Sequence, residues 1–266
     1  MIEVQGLTKL YEDFLAVDNV SFSLPAGRIC GLVGPNGAGK TTTLRCLAGL
    51  IPATAGSLTV AGCDLSRDPI QLKQRLAYVP DDPPLFDDLT VGQHLGFIGK
   101  LYGVADLTAK ANRLLQDFEL ADKTNAGATT LSRGMRQKLA ICCAYLFEPQ
   151  VLLLDEPLTG LDPPGIRALL ASIRVRAQAG ATVVISSHLL AMIEDVCTHL
   201  LVMQHGRVQY FGAAAELRAR FRNARSLEEA YFAATHDGLI KPDDPVVIQA
   251  APVTIPIQAF QNGASR

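Results

Sequence analysis

The chain has 266 residues, a net charge of −2 and 48% hydrophobic residues. That length holds one large domain or two small ones, with enough apolar sequence for a sizeable core. The near-neutral balance argues against a basic nucleic-acid surface, and no apolar run approaches the roughly 20 residues that span a bilayer.

Ile2–Leu7 reads as a first strand, with Tyr11 in a short loop after it. Val17, Val20, Phe22 and Leu24 form the apolar face of a second strand, which ends at the turn Pro25-Ala26-Gly27. Arg28–Val33 reads as a buried strand and Thr42–Gly49 as a helix. Between them lies Gly34-Pro35-Asn36-Gly37-Ala38-Gly39-Lys40-Thr41, which fits G-x-x-x-x-G-K-[ST] in the strand–loop–helix setting that a phosphate-binding loop requires. Successive N–H groups of such a loop point into one concavity, and the helix start adds donors and the positive dipole end. Lys40 is expected to reach the β- and γ-phosphates, and the Thr41 hydroxyl to bind Mg²⁺.

Ser57–Val60 reads as a strand, Ile70–Leu76 as a short helix and Leu76–Val79 as a strand. Pro80-Asp81-Asp82-Pro83-Pro84 fits neither helix nor central strand. Thr90 and Gln93 fit a capping box opening a helix to about Gly103. A second helix carries Leu107, Ala111, Leu114, Leu115 and Phe118 on one face, and a third runs from Ser132 to Phe147. Residues 85–147 thus read as a helical insert between α/β segments.

Val151–Leu154 is a fully apolar strand ending in Asp155-Glu156. A carboxylate at such a strand end can hold Mg²⁺ together with Thr41, and Glu156 is a candidate to orient and deprotonate an attacking water. A pair of solvated acids is the bland reading. A helix from Pro163 to Gly180, a strand Thr182–Ser186 ending at Ser187-His188, a helix 189–197 and strands Leu200–Met203 and Val208–Phe211 follow. Ser226 and Glu229 read as another capping box, opening a helix to about Ala234. Strands alternating with helices imply an open α/β sheet covered on both faces. The six cysteines Cys30, Cys46, Cys63, Cys142, Cys143 and Cys197 form no C-x-x-C pair, and a reduced compartment without a signal peptide is expected.

Leu131-Ser132-Arg133-Gly134-Met135 sets Ser132 as an N-cap and a glycine where a backbone can approach closely. Alone, it is equally an ordinary capped helix. It does not stand alone, because the order and spacing of these elements resemble the ATP-binding cassette (ABC) family of transporter ATPases. In that resemblance Tyr11 matches the aromatic that stacks on adenine; without it, Tyr11 is more simply a packing residue. Gly34–Thr41, with Thr42 beside it, matches Walker A, and Val151–Glu156 matches Walker B with catalytic Glu156. Leu131–Met135 is similar to the LSGGQ signature. Leu161-Asp162 matches the D-loop and His188 the switch histidine. The resemblance covers roughly residues 2–211 and, more weakly, extends to about 235.

The resemblance implies an α/β P-loop NTPase (RecA-like) core sheet over 1–84 and 148–235, an inserted helical subdomain over 85–147 and an N-terminal antiparallel β subdomain. Residues 236–266 would form a weakly ordered extension. It implies ATP and Mg²⁺ as cofactors and separate integral membrane permease subunits as partners. ATP would be sandwiched between one ATPase subunit's Walker A and a second subunit's Ser132 and Gly134. A homodimer is favoured over a heterodimer, and no nucleic acid is expected. The expected location is cytoplasmic, peripheral on the cytoplasmic face of the cell membrane, with the exporter type favoured. The rival classes are a soluble non-transport ABC ATPase and a low-turnover ATP-binding regulatory partner. The chain departs from the family at Asp81, where a Gln that binds Mg²⁺ is usual, and at Arg133 and Met135 in the signature. Asp81 is therefore a candidate Mg²⁺ ligand and equally an exposed loop acid.

Overall fold

A computed structural model describes residues 1–188 and 190–220. Ten strands and eight α-helices are assigned among these residues. Five strands form a parallel sheet: β3 (Ile29–Val33), β6 (Leu76–Val79), β7 (Val151–Leu154), β8 (Thr182–Ser187) and β9 (His199–Gln204). Their spatial order is β9-β3-β8-β7-β6, and β10 (Arg207–Ala213) pairs antiparallel on the outer edge of β9.

Both faces of this sheet are buried, which is why its strands are continuous apolar runs without polar alternation. Ile29, Val33, Leu152, Leu154, Val183 and Ile185 point into one core. Their neighbours Cys30, Leu32, Val151, Leu153 and Val184 point into the other. The first core is covered by α3 (Val91–Leu101), α4 (Leu107–Asp117), α5 (Arg133–Leu146) and α6 (Pro163–Gln178). The second is covered by α1 (Lys40–Leu47), α2 (Pro69–Arg75) and a separate antiparallel sheet. That sheet runs β2 (Phe14–Leu24), β1 (Ile2–Tyr11), β4 (Ala55–Val60), β5 (Cys63–Asp64).

Three consecutive helices, α3 to α5, lie between β6 and β7 in the chain. The Thr90–Gln93 capping box is formed in both directions, and Ser132 caps α5 by accepting from the Met135 amide. Tyr145, fully buried near the C-terminus of α5, ties that helix to its neighbours. Its hydroxyl is 3.0 Å from Ser172 on α6, its ring meets Phe118 edge-on at 6.0 Å, and the Arg176 guanidinium lies 3.7 Å above it.

Some boundaries differ from the sequence reading. Tyr11 is not in a loop. β1 continues through Tyr11, which pairs with Phe14, because irregular register on either side of Leu7 lets the strand pass Gly6 without stopping. The helix expected over 189–197 is the short α7 (Leu190–Ile193). The Ser226 capping box and the extension beyond it lie outside the described residues. Tyr145→Ala is expected to lower the unfolding free energy by about 3–5 kcal/mol, the cost of emptying a large aromatic site. A urea titration that reads the midpoint, with an unchanged slope, checks this.

Candidate functional site

The phosphate-binding loop joins β3 to α1, so its concavity opens at the C-terminal end of the parallel sheet, where open α/β sheets receive ligands. Gly39 is the N-cap of α1 at φ 98°, and a Cβ there would sit 2.6 Å from the Ala16 carbonyl oxygen. Only glycine satisfies both constraints. Lys40 is buried, and its ammonium donates to the Gly34 and Pro35 carbonyls at 2.7 and 3.2 Å. It also lies 3.7 Å from Glu156 Oε1. The cation is thus held over the loop in which Asn36, Gly37 and Ala38 also lie.

Asp155 follows β7 and is 2% exposed. A charge buried that deeply needs donors, and it has them. The Thr41 hydroxyl donates to Oδ1 at 3.2 Å and the Ser186 hydroxyl to the same oxygen at 2.6 Å. The Tyr78 hydroxyl donates to Oδ2 at 3.2 Å. Burial, and then the facing Asp155 charge, push the Tyr78 phenol up to about 12, so it stays a donor at neutral pH. Thr41 and Asp155 together offer a hydroxyl and a carboxylate, the hard oxygen donors that Mg²⁺ takes alongside phosphate and water.

Glu156 has φ 47°, an uncommon conformation for a residue with a side chain, and its amide donates to the Ser186 hydroxyl at 2.9 Å. Its carboxylate oxygens face two different groups: Lys40 on one side and His188 Nδ1, at 2.9 Å, on the other. Lys40, Thr41, Asp155, Glu156 and His188 therefore converge through direct contacts. Thr42, the third residue of α1, lies on the same helix start.

The remaining sequence candidates lie elsewhere. β6 is three strands from β3, roughly 14 Å at the ~4.8 Å spacing of neighbouring strands. Asp81, just past β6, accepts from Arg133 Nη2 at 3.0 Å, so the turn holding Ser132 and Gly134 lies on the β6 side of the sheet. Asp162 precedes α6 and lies 3.2 Å from the Lys138 ammonium, whose hydrogen bond holds the carboxyl below its ordinary value. The same ammonium is 3.4 Å from Glu119. Tyr11 is a partly exposed ring with the Lys9 ammonium 4.9 Å from its centre.

Sequence reasoning missed Ser186 and Tyr78. The signal for Ser186 was a hydroxyl closing the apolar run Val183–Ile185. Tyr78 gave a weaker one, a phenol near the end of a strand. Ser186→Ala removes two hydrogen bonds from buried groups and is expected to cost about 1–3 kcal/mol of stability and to slow ATP hydrolysis about tenfold. Paired urea titrations and steady-state turnover measure both effects.

The family model described as "ABC transporter" matches residues 17–159. The chain is 35% identical over 240 residues to the ABC-type transporter ATP-binding protein EcsA of Bacillus subtilis, covering 89% of this chain and 97% of that protein. It is 34% identical over 219 residues to the Nod factor export ATP-binding protein I of Cupriavidus metallidurans, covering 82% and 72%. A solved structure of the ATP-binding subunit of an ABC transporter superposes with a TM-score of 0.81 at 33% identity, covering 88% of this chain and 99% of that one. A P-loop with a buried carboxylate two strands away at the same end of the sheet, together with these likenesses, establishes that the chain belongs to the ABC transporter family as an ATP-binding, ATP-hydrolysing subunit.

Proposed function

We propose that two copies of this chain close head to tail on ATP and drive export through separate membrane subunits. The observation that supports this reading is the distance between the two phosphate-binding features. The Ser132 turn lies on the β6 side, and a helix start three strands from the loop after β3 cannot reach that loop's own nucleotide. In a head-to-tail pair, Ser132 and Gly134 would meet the γ-phosphate held by the second copy, with Asp162 at the junction and Tyr11 against adenine.

Within one site, the roles follow from the contacts. The backbone N–H groups of the Gly34–Lys40 loop, Pro35 excepted, bind the phosphates and Lys40 neutralises their charge. Thr41 and Asp155 would hold Mg²⁺, which would supply positive charge against the phosphates. Glu156 takes the proton of the attacking water, a role worth roughly 10²–10⁴-fold. His188, 2.9 Å from its carboxylate, orients it. Ser186 fixes both acids at once, through the Asp155 side chain and the Glu156 amide.

The export direction is supported by the relative named for Nod factor export. No described helix is long and apolar enough to cross a membrane. In this reading separate partner subunits supply the membrane path and the chain works at their cytoplasmic face. Phe86 and Phe97 meet edge-on at 5.5 Å on the helical insert, and both are largely exposed, as is Leu101. This apolar face is the proposed seat for a segment of the membrane partner.

Turnover per chain is expected to rise with protein concentration, and Glu156→Gln to be inactive yet trapped as a dimer on ATP. Steady-state hydrolysis and size measurement test this, and linear activity from a persistent monomer would refute the composite site. Phe97→Asp should cut recovery of the chain with its membrane partner about tenfold, as loss of a central apolar anchor does. Copurification reads this, and unchanged recovery would move the docking face elsewhere.

A further inference from the structure

Two of the three positions at which the chain departs from its family's pattern, Asp81 and Arg133, are 52 residues apart in sequence and meet in the structure. Arg133 Nη2 donates to Asp81 Oδ1 at 3.0 Å. Both ends of this pair are tied to chemistry already described.

On one side, Asp81 is separated from β6 by Pro80 alone, whose ring removes one backbone freedom. The end of β6 is bonded to Asp155 twice. The Asp155 amide donates to the Val79 carbonyl at 2.8 Å, and the Tyr78 hydroxyl donates to the Asp155 carboxylate. On the other side, Arg133 is the first residue of α5, between the Ser132 cap and Gly134. Its Cγ and Cδ lie against Gly160, and Gly134 approaches the Gly160 carbonyl so closely that an added Cβ would sit 2.5 Å from it. An unbroken series of contacts thus runs from Thr41 through Asp155, Tyr78 and Val79 to Asp81, Arg133 and the Ser132 turn.

We infer that the Asp81–Arg133 ion pair sets where the Ser132 turn stands relative to the chain's own nucleotide site. Arg133 is then a positioning residue for the phosphate contact that Ser132 and Gly134 make to the second copy, an inference that rests on the head-to-tail dimer. A glycine at 133 has no side chain with which to make this link. A carboxamide at 81 would hydrogen-bond without the charge. With both side chains near half-exposed, at 47% for Asp81 and 55% for Arg133, the link is weak enough to break and re-form.

The test is a mutant cycle in the Glu156→Gln background, reading the protein concentration at which ATP drives half the chain into dimer. Asp81→Asn and Arg133→Gln are each expected to raise that midpoint about three- to fivefold, the range of an exposed ion pair. The neutral double variant should be no worse than either single change, because the two remove one shared interaction. The charge-exchanged pair Asp81→Arg with Arg133→Asp should return the midpoint to within about twofold of the background, a rescue that a merely structural role for either residue would not give. Additive single effects, a midpoint unmoved by the substitutions, or no rescue by exchange would each overturn the inference. If Arg133→Gln weakens dimerisation while Asp81→Asn leaves it unchanged or stronger, Arg133 acts on phosphate directly and the positioning role is refuted. A Glu156→Gln chain that forms no dimer on ATP overturns the head-to-tail reading itself, and the inference with it.

Discussion

The structure turns on one buried carboxylate. Asp155 is nearly inaccessible to water, and a charge in that position is costly unless every face of it is answered. Its answers come from three separate parts of the chain. Thr41 arrives on the helix after β3, Ser186 on β8 and Tyr78 on β6. These donors converge because β7 lies between β8 and β6, with β3 beyond β8. The site's electrostatics and the sheet's topology are therefore one constraint. The apolar runs allow many parallel arrangements, and among them this order satisfies the charge.

That coupling explains what was legible in the sequence. The phosphate loop, the Asp155-Glu156 pair and the Thr90 and Ser132 caps could be read because each is a local pattern of a few residues. The buried strands could be read because continuous apolar runs identify a sheet covered on both faces. Ser186 and Tyr78 could not, because a hydroxyl near a strand end has no meaning until its neighbouring strand is known. The helix reading after His188 extended too far, since apolar periodicity there continues beyond Ile193. Asp81 and Arg133 were visible as departures from a family pattern. Their pairing was not, because it depends on α5 returning its first turn to the end of β6.

The same geometry sorts the interactions by stiffness. At the centre, the contacts are short and buried, and they join strands already fixed by parallel pairing. Ser186 holds both the Asp155 side chain and the backbone of Glu156, so the unusual φ of Glu156 is maintained by a rigid strand. Preorganisation of this kind leaves little to rearrange at the acids themselves.

At the periphery the balance is different. The C-terminal end of α5 is set in apolar packing around Tyr145, whereas its N-terminal end adds, to a smaller apolar contact through Leu131 and Met135, ion pairs open to water on at least one side. Exposed pairs contribute roughly 0–1 kcal/mol each, while an aromatic anchor in a packed core contributes several times more. The helical insert is therefore held firmly at one end and lightly at the other. The lightly held end carries Ser132, Arg133 and Gly134, the residues that the proposed head-to-tail pair would bring to the second subunit's nucleotide. Stiffness lies where the loop and the acids are aligned within one chain, and compliance where the proposed pairing would require two chains to fit together.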